Sequence, residues 1–156
     1  MPRISDFAIL AQPEQPVLKI DRTASIGEFP TFIGQGFQTL GAYQKENNAE
    51  LVDVPYVSFK EIGPERFIVS VCFPLLKPLP GKDEIVAEVL PVRKIAFCMY
   101  LGPYDPITPV YEEMRQWVGQ QGYAVPDSSY EQYFNGQEYP EEQLLTKIVL
   151  PLEDIR

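Results

Sequence analysis

Glu131 is the carboxylate whose surroundings suggest chemistry. It stands in the run Ser129-Tyr130-Glu131-Gln132-Tyr133-Phe134. In an extended chain, Ser129, Glu131 and Tyr133 share one face, while Tyr130, Gln132 and Phe134 take the other. Tyr56, Phe59, Tyr100, Tyr111 and Trp117 lie on elements that could reach the same space. A carboxylate ringed by aromatic side chains suits a lipophilic cation, because the charge pairs with the glutamate and the ring faces add cation–π attraction. The same residues suit acid–base work. A glutamate desolvated by aromatic walls has a raised pKa and can act as general base on water, with a tyrosine polarising the leaving group. Tyr100 and Tyr111 come from other elements and fit that second role best. Tyr133 lies only ~7 Å along the same strand. Glu131 taken alone also fits a solvated strand face, since glutamate is rarely buried unless paired. Lys147, on the last strand, is placed to pair with it and lower its pKa.

The rest of the composition excludes much. Histidine is absent from the 156 residues. That removes Ser-His-Asp and Cys-His nucleophilic catalysis and His-ligated metal sites. The two cysteines, Cys72 and Cys98, sit in apolar runs and read as buried free thiols in a reducing, cytoplasmic compartment. No metal and no cofactor is expected. The formal charge of −9 is uneven: residues 1–78 carry −2 and residues 79–156 carry −7. No Lys/Arg cluster offers itself to phosphates, so direct nucleic-acid binding is disfavoured. No apolar run approaches the ~20 residues of a membrane helix.

These residues must be held by regular elements. Pro13 and Pro16 end an N-terminal arm, and residues 17–24 alternate as a strand. Phe29, Phe32, Ile33, Phe37, Leu40 and Tyr43 recur at steps of three and four, predicting a helix over residues 28–46. Gly34 and Gly36 weaken it, at ~1 kcal/mol each. Strands are predicted at 56–59 and 66–73, joined by a turn at 61–65. The Pro-rich segment 77–82 reads as a stiff spacer. Strands at 85–90 and 92–101 follow, then a turn over Gly102-Pro103-Tyr104-Asp105-Pro106. A helix starts near Thr108, which can cap it, with Pro109 at its first position, and Gly122 ends it. Its face is Val110, Tyr111, Met114, Trp117, Val118 and Gln121. Strands at 129–134 and 145–150 flank a loop over 135–140.

The order strand, helix, strand, strand occurs twice. Val17-Leu18-Lys19-Ile20 matches Val92-Arg93-Lys94-Ile95, Pro55–Phe59 parallels Ser129–Tyr133, and Phe73-Pro74-Leu75 matches Leu150-Pro151-Leu152. One such module has too little core to stand alone, so two should pack about a pseudo-twofold axis. The expectation is a single α+β domain over residues 1–156. It would have duplicated β-α-β-β halves at about 17–75 and 92–152, an antiparallel sheet, two long helices and a central ligand cleft.

The second half resembles the GyrI-like family, the effector-binding domain of bacterial transcription activators. The resemblance rests on Phe97-Cys98-Met99-Tyr100-Leu101-Gly102-Pro103-Tyr104, on Tyr111, Met114 and Trp117, on Tyr130-Glu131-Gln132-Tyr133-Phe134-Asn135, and on Leu144-Leu145-Thr146-Lys147-Ile148 with Leu150-Pro151. The first half, with Lys77-Pro78-Leu79-Pro80-Gly81, looks like the matching repeat. The resemblance implies that Glu131 faces cationic, planar ligands from an aromatic pocket. Relatives include drug-sensing domains, a gyrase-inhibitory protein and hydrolases of cyclopropane-bearing toxins. The two repeats leave no room for a helix-turn-helix. The expected function is therefore binding of cationic or amphipathic planar compounds, in drug sensing or sequestration. Glu131 would lead the ligand-binding set, with Tyr133, Trp117, Tyr111, Tyr100, Tyr56 and Phe59. A Glu131–tyrosine hydrolase and a gyrase-inhibitor-like interaction protein are the alternatives. A partner such as a DNA-binding regulator or gyrase would be a separate protein.

Overall fold

Alternation and helical periodicity account for most elements of the computed structural model, which describes residues 3–103, 107–136 and 138–154. The chain divides into two compact units, residues 13–92 and residues 1–12 with 93–156.

In the unit of residues 13–92, β2 (Gln15–Ala24), β3 (Tyr56–Gly63), β4 (Arg66–Pro74) and β5 (Val86–Leu90) form antiparallel ladders in the order β3-β4-β2-β5. Helix α1 (Phe29–Glu46) covers one face with Phe32, Gly36, Leu40 and Tyr43, the four-and-three spacing read from the sequence. Gly36 is explained by packing. A Cβ there would lie 2.7 Å from a methyl of Val71, so only glycine lets the helix approach this closely. Phe29 meets Phe59 and Phe67 at ring-centroid distances of 5.3 Å, and Phe37 meets Phe73 at 6.0 Å. On the opposite face Lys19 pairs with Glu88 at 2.8 Å and Asp21 at 3.5 Å. The strand predicted over 56–59 runs on to Gly63, leaving a tighter turn in which Glu65 takes φ 55°.

In the other unit, β1 (Ala8–Gln12), β6 (Arg93–Leu101), β8 (Ser128–Tyr133) and β9 (Leu145–Pro151) lie in the order β1-β6-β9-β8. The N-terminal arm is thus a strand, Ala8 opposite Phe97 and Gln12 opposite Arg93. Helix α2 (Thr108–Gln120) buries Val110, Tyr111, Met114 and Val118 on Ala96, Cys98, Tyr100, Ile148 and Leu150. Its N-cap is Ile107 rather than Thr108, with no side-chain cap, and Gly122 ends it at φ 88°. A short ladder joins β7 (Tyr123–Ala124) to β10 (Glu153–Asp154). The fold is therefore α+β, antiparallel, with two helices. The turn residues Tyr104, Asp105 and Pro106, and Gln137 of the later loop, lie outside the described residues. Among the described residues, no helix is long and apolar enough to cross a membrane.

Candidate functional site

β8 pairs with β9 so that Glu131 stands opposite Ile148 and Tyr133 opposite Thr146. Ile148 belongs to the core beneath α2. Alternation therefore points Ser129, Glu131 and Tyr133 toward the helix, and Tyr130 and Gln132 away from it. Tyr111, one turn into α2, sits on that face and is 9% exposed.

The carboxylate of Glu131 is held from two sides. Tyr111 Oη donates to Oε2 at 2.5 Å, and Tyr133 Oη donates to Oε1 at 2.8 Å. The Ser129 hydroxyl donates in turn to Tyr111. Burial pushes the Glu131 pKa above its ordinary value; the two phenol donors oppose this without cancelling it. Burial raises the Tyr111 pKa well above the usual phenol range, and the adjacent carboxylate adds to the rise. Among the described residues, the group is thus a desolvated carboxylate stabilised by hydroxyls rather than by a cation. The Arg115 guanidinium lies over the outer Tyr111 ring, 5.4 Å from its centroid.

Lys147 does not pair with Glu131. It stands opposite Gln132, on the other face of the sheet, with its ammonium 4.7 Å from the Phe97 ring centroid. Of the two tyrosines ranked as partners from the sequence, Tyr111 meets Glu131. Tyr100 is fully buried and donates to the Pro103 carbonyl at 2.6 Å. Tyr133, ranked below both, reaches Glu131 because its ring folds back along the strand. Trp117 is half-buried and packs on Phe7 at 5.7 Å. Tyr56 and Phe59 belong to the other unit. Tyr56 is buried and bonded to Cys72, while Phe59 packs on Phe29.

Two residues of the site went unforeseen as such. Ser129 shares the right face in the sequence, but its bond to Tyr111 depends on where α2 lands. Thr146 is fully buried across from Tyr133, and its Oγ1 has no hydrogen-bond partner among the described residues. The signal available was polarity: Thr146 is the one polar member of the inward set Thr146, Ile148, Leu150. No group of three or more His, Cys, Asp or Glu among the described residues could hold a metal. Both cysteines are buried free thiols, as read from the sequence.

The GyrI-like small molecule binding domain matches residues 5–153. The chain belongs to the GyrI-like family. Its fold is similar to the EcmrR C-terminal domain, with a TM-score of 0.79 and 20% identity over 97% of this chain and 99% of that one. It is also similar to a hydrolase from Listeria innocua, with a TM-score of 0.68 and 14% identity over 98% and 94% of the two chains. SAV2435, solved bound to tetraphenylphosphonium, has a TM-score of 0.65 and 12% identity over 96% and 94%. No curated protein sequence matches. This GyrI-like chain is thus a small-molecule binding domain.

Proposed function

We propose that this GyrI-like domain binds amphipathic, cation-bearing planar compounds at Glu131, with Tyr111, Tyr133, Trp117 and Tyr100 as the aromatic set, in sensing or sequestration. One observation carries the reading: Glu131 is a desolvated carboxylate that has phenol donors and, among the described residues, no cationic hydrogen-bond partner. A buried carboxylate without a counter-ion is stabilised strongly by a cation brought to it. The tetraphenylphosphonium bound by the structurally similar SAV2435 is likewise a lipophilic, aromatic cation, though not a planar one. The two β-α-β-β runs are read as copies of one module, of which only the second carries a carboxylate at this position. Val57 is the counterpart in the first. A role in transcription would require a DNA-binding part, and gyrase is the alternative partner.

The test is titration with a planar cationic dye, followed by dye polarisation and Trp117 quenching. Glu131→Gln should weaken the dye about ten- to hundredfold, the equivalent of ~1–3 kcal/mol for a charge-assisted contact. A neutral analogue of the same shape should be nearly unaffected. Equal loss for both compounds would show that Glu131 holds structure rather than charge.

The Tyr111–Glu131 pairing also favours a second reading, a hydrolase in which Glu131 activates water and Tyr111 serves the leaving group. Wild-type protein should then convert a cyclopropane-bearing alkylator, and Glu131→Gln should abolish turnover while still binding it. Binding without any product over hours removes the enzyme reading.

A further inference from the structure

Thr146 carries a hydroxyl that the described chain leaves unused. The residue is 0% exposed, and its Oγ1 bonds to nothing among the described residues. Buried hydroxyls are nearly always bonded, because an unpaired one keeps its full desolvation penalty. The residue lies in a telling place. Across β9 it stands directly between Tyr133 on β8 and Tyr100 on β6, on the face that carries Glu131. Both flanking phenols are committed elsewhere, Tyr133 to Glu131 and Tyr100 to the Pro103 carbonyl. The next residue along this face is Ile148, which has no polar side-chain atom. Thr146 and Glu131 are diagonal neighbours, and such residues lie ~7–8 Å apart on adjacent strands. Two hydrogen bonds of ~3 Å from one tetrahedral nitrogen span ~5 Å between oxygens, and the inward-pointing side chains take up the rest of that separation.

We infer that Thr146 is a specificity-determining residue of the Glu131 pocket, selecting ligands whose cationic centre is a primary or secondary ammonium. One N–H of such a centre donates to the carboxylate and a second donates to Thr146 Oγ1. A quaternary ammonium or a phosphonium pairs with Glu131 by charge alone and leaves the threonine unsatisfied. This selectivity rests on the reading of Glu131 as the ligand's anionic contact. It adds a residue and a discrimination that the reading does not require.

The probes are 1-pyrenylmethylammonium and its N,N,N-trimethyl analogue, which share ring and charge. Both are titrated against wild type, Thr146→Val, Thr146→Ser and Glu131→Gln. Thr146→Val should weaken the primary ammonium about tenfold and leave the trimethyl compound unchanged. Thr146→Ser should keep the wild-type preference. Glu131→Gln should weaken both. Thr146→Val should melt no lower than wild type, since its hydroxyl has no described partner to lose. Equal effects of Thr146→Val on both probes, or a melting temperature several degrees lower, overturn the role of Thr146 while leaving Glu131 in place. Unchanged binding of both probes by Glu131→Gln, or no binding by wild type, removes the pocket reading and this inference with it.

Discussion

Tyr111→Phe deletes one hydroxyl and should make the stability of the protein depend on pH in a calculable way. The substitution keeps the ring on the α2 face and removes the 2.5 Å bond to Glu131 Oε2. It also leaves the Ser129 hydroxyl without its acceptor. With Glu131 protonated, the losses are bonds between neutral groups, about 0.5–1.5 kcal/mol each. With Glu131 ionised, the bond to the carboxylate is worth about 1.5–3 kcal/mol, so an extra ~1–1.5 kcal/mol is lost. Because Glu131 already has a raised folded-state pKa, its carboxyl holds a proton in the folded state where it has lost it in the unfolded state. Its favourable contribution is complete below the unfolded value of about 4.5 and is lost as pH rises through the folded one. Removing a donor that lowers the folded pKa raises it further. The deficit of Tyr111→Phe relative to wild type should therefore be smallest near pH 4 and grow by about 1–1.5 kcal/mol toward pH 8. Urea unfolding followed by Trp117, the only tryptophan, measures it at each pH. A deficit that stays constant from pH 4 to 8 would refute the claim that Tyr111 stabilises the ionised carboxylate.

Other outcomes follow from packing and burial. Gly36→Ala places a Cβ against the Val71 methyl at 2.7 Å and should lower stability by about 1–3 kcal/mol, with a partial gain of helix propensity of ~1 kcal/mol. Thermal melting of Gly36→Ala and of Gly36→Ala with Val71→Ala should show rescue in the pair, and no rescue would mean that the close approach is not the cause. Cys72 and Cys98, whose thiols burial pushes up to about 12 and about 11, should resist a thiol reagent at pH 8 and react only in denaturant. Labelling of the native protein within minutes would contradict that burial.

Much of the fold was legible because periodicity survives translation into structure. Helix α1 presents Phe32, Leu40 and Tyr43 inward as their spacing requires, and its one troubling residue, Gly36, proved to be a contact with Val71. β1 was not legible. Its pairing with β6 spans residues 8–97, and the prolines after it suggested only an arm. At the site, the face of Glu131 followed from alternation. Which hydroxyl reaches it did not, because that depends on the docking of α2 and on the rotamer of Tyr133. Lys147 shows the limit from the other side: it is near Glu131 in strand order, yet one residue of register puts it on the opposite face.

The discontinuity of one unit bears on how the chain matures during synthesis. Residues 13–92 form a contiguous unit, complete in synthesis before the strands of the other unit that follow it. The strand at Ala8–Gln12 is made first, yet its ladder partner, Arg93–Leu101, emerges some 80 residues later, and β9 later still. Glu131 and its two phenol donors thus belong to the part of the chain that is completed last. Loop-closure entropy makes such long-range pairing slow. A ribosome stalled before β9 would carry every strand of the first unit and lack the strand that stands opposite Glu131.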